Sequence, residues 1–115
     1  MPRTFDEKAL LERIDHDWEF LVEAVQMLSE DGWALMVQAR DAAGRGDAAS
    51  VSRAAHTLKG MISNFCCAAA QESAAEVERI GKSGDLSPAP AALARLDGEL
   101  NHLIADLNDF VATRA

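Results

Sequence analysis

The last quarter of the chain carries a long, regular apolar pattern. Between residues 93 and 111, apolar side chains recur at the i, i+3, i+4, i+7 spacing of one helix face: Leu93, Leu96, Leu100, Leu103, Ile104, Leu107, Phe110 and Val111. Such a stripe must be buried against other elements. Because the sequence is rich in Ala, Leu and Glu and contains no Tyr, those elements are predicted to be helices as well.

Gly and Pro interrupt the chain in few places, and these places divide it into six predicted helices joined by short turns. The first is short, from about Asp6 to Ile14, and the second carries Phe20 to Leu28 and ends at Asp31-Gly32. The third runs through Leu35 and Ala42 and stops at Gly44-Arg45-Gly46, and the fourth is capped by Asp47 and runs to about Phe65. The fifth ends at Gly81 to Gly84, and the last begins at Ser87-Pro88. The predicted fold is all-α, an antiparallel four-helix bundle with short N-terminal covering helices, in a single domain over residues 1–115.

Composition excludes several classes of function. Eleven Lys and Arg against nineteen Asp and Glu give a net charge of −8, which argues against nucleic acid as a partner. No apolar run approaches the ~18 residues of a membrane span, and residues 1–7 lack the apolar stretch of a signal peptide. We therefore expect a cytoplasmic protein that does not insert into the membrane directly.

The two cysteines, Cys66 and Cys67, are adjacent in sequence. Neighbouring cysteines cannot staple distant segments, and they form neither of the short Cys and His spacings that bind zinc. We expect both to be buried as small hydrophobic residues in a reducing cytoplasm, with a redox switch as the less favoured alternative.

His56 stands out by its position on the predicted fourth helix. At about 100° per residue, the apolar side chains of this helix lie roughly 140° to 260° from His56. The residues within roughly 60° of it are small or cationic: Ser52, Arg53, Lys59, Gly60 and Ser63. His56 is therefore predicted to face solvent.

The neighbours of His56 suggest a chemistry. Gly60 costs about 1 kcal/mol in a helix relative to Ala, and its missing side chain would let another protein approach the ring. Lys59 and Arg53 would stabilise an anion at the imidazole, which is nucleophilic when neutral. This pattern suggests phosphoryl transfer, but ordinary solvated charges beside a glycine that merely weakens the helix explain it equally well.

The segment Ala54-Ala55-His56-Thr57-Leu58-Lys59-Gly60 resembles the signature of histidine-containing phosphotransfer (HPt) domains of bacterial phosphorelays. The resemblance extends back through Gly46-Asp47 to Leu10-Leu11-Glu12-Arg13, and forward into the fifth and sixth helices. It covers essentially the whole chain and implies a helical bundle.

The resemblance implies that His56 accepts a phosphoryl group from a receiver-domain aspartate and passes it to another receiver. Lys59 would neutralise phosphoryl oxygens, Gly60 would give clearance, and Ser63, Ser52 and Arg53 would belong to the docking surface. The expected partners are receiver domains and a hybrid sensor kinase, which can be anchored in a membrane.

By the same resemblance the module is expected to have no ATP site and no autokinase activity, and we expect it to be monomeric as a domain. No cofactor is expected in this chain, and Mg²⁺ is expected on the receiver. The alternative is a helical docking module for receivers or other proteins that carries no phosphate.

Three further expectations concern single residues. Many HPt relatives carry a glycine where this chain has Cys66, so the turn after the fourth helix is expected to differ, since positive φ disfavours a side chain. Arg79 and Lys82 are candidates to reach the histidine. Helical phase places no second residue beside His56 as a base, and His102, in a single Glu-x-x-His motif, is expected to face solvent rather than bind metal.

Overall fold

The computed structural model describes residues 3–113. In chain order the helices are α1 (Glu7–Arg13), α2 (Trp18–Met27), a π-helical turn (Leu28–Gly32), α3 (Trp33–Gly44), α4 (Ala48–Ser63), α5 (Ala68–Ser83) and α6 (Ala89–Ala112). No strand occurs within these described residues. The predicted all-α class is confirmed.

Four helices form the bundle, in which α3 packs on α4, α4 on α5, α5 on α6, and α6 returns to α3. The connections between successive helices are short, which makes neighbours antiparallel. The N-terminal segment closes one end: the Phe5 ring lies 5.3 Å from the ring of Phe110, and the Asp6 amide donates to the Cys66 carbonyl at 3.1 Å. α2 packs on α6 and continues into α3.

The apolar stripe of α6 forms one wall of the core. Its buried members are Leu93, Leu96, Leu100, Leu103, Leu107 and Phe110, while Ile104 and Val111 are half-buried beside them. On the other helices the buried side chains recur at helical spacing, including Leu21, Val25 and Leu28 before α3 and Val51, Leu58 and Ile62 on α4. The helical pattern therefore places most of the core as predicted, but Phe20, which belongs to the apolar pattern of the second helix, is exposed.

Aspartates begin three of the helices. Asp6, Asp17 and Asp47 each accept a hydrogen bond from the backbone N–H three residues later, which satisfies a donor that a helix start leaves unpaired. The predicted cap at Asp47 is thus confirmed. Gly84, at φ 81°, ends α5 in the left-handed conformation that glycine adopts readily.

The predicted break at Asp31-Gly32 is wrong. The chain stays helical from Trp18 to Gly44 and passes through the π-helical turn without leaving right-handed geometry, with Gly32 at φ −62°. Gly32 is buried, and a Cβ there would lie 3.4 to 3.8 Å from side-chain atoms of Leu28, Leu58 and Leu100. This glycine therefore marks a packed helix crossing and not a helix end.

The turn between α4 and α5 keeps the backbone that a glycine would adopt. Cys66 has φ 57°, so the expectation that a cysteine here would change the turn is wrong. Cys66 is half-buried and Cys67 buried, and neither forms a disulfide. Burial raises the pKa of the Cys67 thiol, in keeping with a small apolar role.

Candidate functional site

His56 lies in the middle of α4 and points away from the core. Its side chain is 68% exposed, whereas Ala54, Ala55 and Leu58 on the same helix are buried. The predicted exposure is confirmed. The helix is begun by the Asp47 cap, so the imidazole stands on a regular helix and not on a loop.

A carboxylate from the neighbouring helix contacts one edge of the imidazole. The Nδ1 atom of His56 lies 2.8 Å from Oε2 of Glu78 on α5, and the Glu78 side chain is only 6% exposed. An ionised carboxylate can only accept hydrogen bonds, so Nδ1 carries the hydrogen. In the neutral ring the lone pair is then on Nε2.

Two lysines complete the charges around Glu78. Nζ of Lys59 donates to Oε1 at 2.6 Å, and Nζ of Lys82 lies 3.2 Å from Oε2. The hydrogen bond from Lys59 is the main cause that lowers the pKa of Glu78 to about 2, with Lys82 and His56 adding to it against the opposing effect of burial. Glu78 is therefore ionised at neutral pH.

Gly81 brings α5 close enough for Glu78 to reach His56. A Cβ at Gly81 would lie 2.6 Å from the backbone nitrogen of Ser52 and 2.9 Å from the carbonyl oxygen of Ala48. No side chain fits at these distances from backbone atoms, so α4 and α5 touch through the glycine. Glu78 lies one helical turn away on the same flank of α5.

The remaining predicted site residues lie along the exposed strip of α4. Gly60 is exposed, and a Cβ there would meet nothing within 4 Å. The Ser63 hydroxyl donates to the Gly60 carbonyl at 2.6 Å, and Arg53 is exposed with Nη2 donating to the Ser50 hydroxyl at 2.9 Å. Ser52 is half-buried, with its backbone against Gly81.

Sequence reasoning missed Glu78, which lies 22 residues after His56 on another helix. The available signal was the run of small residues Ala70, Ala74 and Gly81 on α5, which indicates close helix packing beside a carboxylate. Of the two further candidates, Lys82 reaches the cluster. Arg79 is exposed and makes no hydrogen bond or ion pair within residues 3–113.

Comparison with known proteins decides the family. A family model of the Hpt domain matches residues 23–108, from α2 to α6. The chain belongs to the Hpt domain family. No curated protein and no solved structure matches this Hpt domain.

Hpt domains are helical bundles that interact with receiver domains, and their family function is histidine phosphotransfer in phosphorelays. The matched segment contains both His56 and Glu78. No helix of residues 3–113 has the length and apolarity that crossing a membrane requires.

Proposed function

We propose that His56 is the phosphoryl acceptor and donor of this Hpt domain. The observation that carries the proposal is the hydrogen bond from Nδ1 to the buried Glu78 carboxylate at 2.8 Å. It fixes the tautomer that leaves the lone pair on Nε2 of an exposed ring, where a receiver domain can approach.

In the proposed step, Nε2 of His56 attacks the phosphorus of a receiver aspartyl phosphate. The N–P bond forms as the bond from phosphorus to the aspartate oxygen breaks, and the aspartate leaves as a carboxylate. The proton on Nδ1 stays in place, so the ring becomes more positive. Glu78 stabilises that charge, and the reverse of the step delivers the phosphoryl group to the next receiver.

Lys59 is assigned to the phosphoryl oxygens. Its ammonium lies at the Glu78 carboxylate, one helical turn from His56, and its side chain is 32% exposed. A lysine is a compact point charge on a flexible stem, so it can contact both the carboxylate and an incoming phosphoryl group. Charge neutralisation and positioning are the main requirements of such a transfer.

The docking surface is assigned to the strip beside the ring. Gly60 leaves open space on α4, and Ser63, Ser52 and Arg53 extend the strip in both directions. The proposed partners are receiver domains and a hybrid sensor kinase in the cytoplasm. The proposal assigns no cofactor and no ATP hydrolysis to this chain, and it assigns the Mg²⁺ to the receiver.

Phosphoryl transfer from a radiolabelled phospho-receiver tests the proposal. The Hpt domain should acquire an acid-labile label, and His56→Gln should abolish it while His102→Gln, at another exposed histidine, retains it. Lys59→Ala should slow transfer at least about tenfold without unfolding the bundle, because a neutralising charge is lost.

An unlabelled wild-type protein would refute phosphotransfer. If the same receivers still bound it, the result would favour the docking module that carries no phosphate. Equal labelling of His56→Gln and His102→Gln would refute the assignment of His56.

A further inference from the structure

A groove of about 300 Å³ lies between α3 and α4, and its lining includes the apolar side chains of Leu35 and Ala54. Gln38, Asp41 and Arg45 line the α3 side, and Ser50, Arg53 and Thr57 line the α4 side. It opens beside His56, since Thr57 follows the histidine in sequence and Arg53 lies one helical turn before it. The cluster around Glu78 lies on the other flank of α4, against α5.

The two arginines of the groove have donors to spare. Arg53 donates to a neutral hydroxyl, that of Ser50. Nη2 of Arg45 lies 3.8 Å from the Asp47 carboxylate, which is longer than a hydrogen bond. That carboxylate instead accepts the amide and the hydroxyl of Ser50 at 3.1 and 2.6 Å.

Asp41 is the acidic member of the groove lining. It lies on α3 one helical turn before Arg45, so it makes the α3 wall unfavourable for an anion. Arg53, on the opposite wall and nearer His56, is the better seat for a carboxylate. The charges therefore favour binding of an anion on the α4 side of the groove.

We propose that this groove binds an acidic side chain of the docked receiver domain, with its carboxylate on Arg53 and Arg45 as the second cation. The inference rests on the proposed function, because the receiver must first lie over His56. A standard interface covers about 800 Å² of each partner, a radius of roughly 16 Å. Arg53 lies roughly 5 Å from His56 along the axis of α4, well inside that radius, and Arg45 lines the same groove as Arg53, so the edge of the partner reaches the groove.

A protein carboxylate fits better than a free anion. The groove is open, so it encloses a small anion poorly, and the negative charge of Asp41 in its lining repels such an anion. A carboxylate carried by a receiver already docked at His56 acts at high effective concentration and needs only the guanidinium fork. The groove then influences which receiver domain binds and takes no part in the phosphoryl transfer step itself.

Binding and transfer kinetics with the fastest-transferring receiver test the groove. Arg53→Glu should raise the apparent KM for the phospho-receiver at least about tenfold with kcat changed little, and Arg45→Glu should raise it less. Arg95→Glu is the matched control, because Arg95 lies on α6 and pairs with Glu76. Asp41→Asn should lower the KM by removing the repulsive charge.

Charge exchange identifies the partner residue. Acidic residues of the receiver are changed to Lys one at a time, and one of these variants should restore transfer with Arg53→Glu. Titration with inorganic phosphate should leave the Arg53 side-chain NMR signal unshifted, and a saturable shift would overturn the assignment to a protein carboxylate.

The outcomes separate the two proposals. Absence of transfer by the wild-type protein refutes the proposed function. Transfer by the wild type with equal KM for Arg53→Glu and Arg95→Glu refutes the groove and the place of Arg53 in the docking surface, but leaves phosphotransfer at His56 standing. A kcat loss with unchanged KM has the same meaning. Circular dichroism of each variant establishes that the bundle is folded.

Discussion

Replacing Gly81 with Ala tests whether the contact between α4 and α5 sets the state of His56. The added Cβ would lie 2.6 Å from the Ser52 nitrogen, and 3.4 Å is the lower end of ordinary contact. α5 must therefore retreat by about 0.8 Å. Glu78 lies about 4.5 Å away along the same helix, so its bond to Nδ1 should lengthen from 2.8 Å beyond hydrogen-bonding range.

The energetic effect follows from two opposing contributions. Overpacking costs about 1 to 3 kcal/mol, while Ala gains about 1 kcal/mol over Gly in a helix. Gly98→Ala is the matched control, because a Cβ at this position in α6 meets nothing within 4 Å. We expect Gly98→Ala to stabilise the bundle by about 1 kcal/mol and Gly81→Ala to be about 1 to 3 kcal/mol less stable than that control.

Urea unfolding measures the stability difference, and ¹⁵N NMR of the imidazole measures the tautomer of His56. Gly81→Ala should lose the fixed Nδ1–H form and populate both tautomers, whereas Gly98→Ala should keep the wild-type spectrum. Equal stabilisation by both substitutions, with His56 unchanged, would refute the close approach as the cause of the Glu78 contact.

Three further predictions concern Glu78 and Gly60. The pKa of Glu78 is lowered from 4.5 to about 2, so the unfolded chain binds this proton first and the stabilisation is lost as pH falls from about 4.5 towards 2. Glu78→Gln should therefore lose less stability than the wild type between pH 7 and 3 in urea titrations, and an equal loss would contradict this. Gly60→Ala should raise Tm, since its Cβ meets nothing within 4 Å and Ala favours the helix. Gly60→Leu should weaken receiver binding in calorimetry, and unchanged affinity would count against Gly60 as a point of approach.

Most of the fold could be predicted from the sequence because the signals that define its helices lie close together along the chain. Apolar spacing, aspartate caps and the Gly44 to Gly46 turn each act within a few residues, so they mark α1, α4 and α6 directly. Gly32 misled for the same reason. Gly32 is buried inside a continuous helix, beside Leu58 and Leu100 from other helices, and no local pattern reports such burial.

The candidate site likewise has some features that one helix determines and others that depend on the packing of two helices. The exposure of His56 and the nearness of Lys59 and Gly60 follow from the phase of one helix. Glu78 depends on how closely α5 approaches α4, which is a property of packing between helices. The groove at Arg45 and Arg53 likewise needs two helices in place.

The π-helical turn at Leu28–Gly32 amounts to one extra residue wound into an otherwise continuous rod. Each additional residue rotates everything that follows by about 100°. A single deletion within this turn would leave a longer, more regular helix whose α3 portion presented a different side to α4. The length of the π-helical turn therefore determines the direction in which every side chain of α3 points.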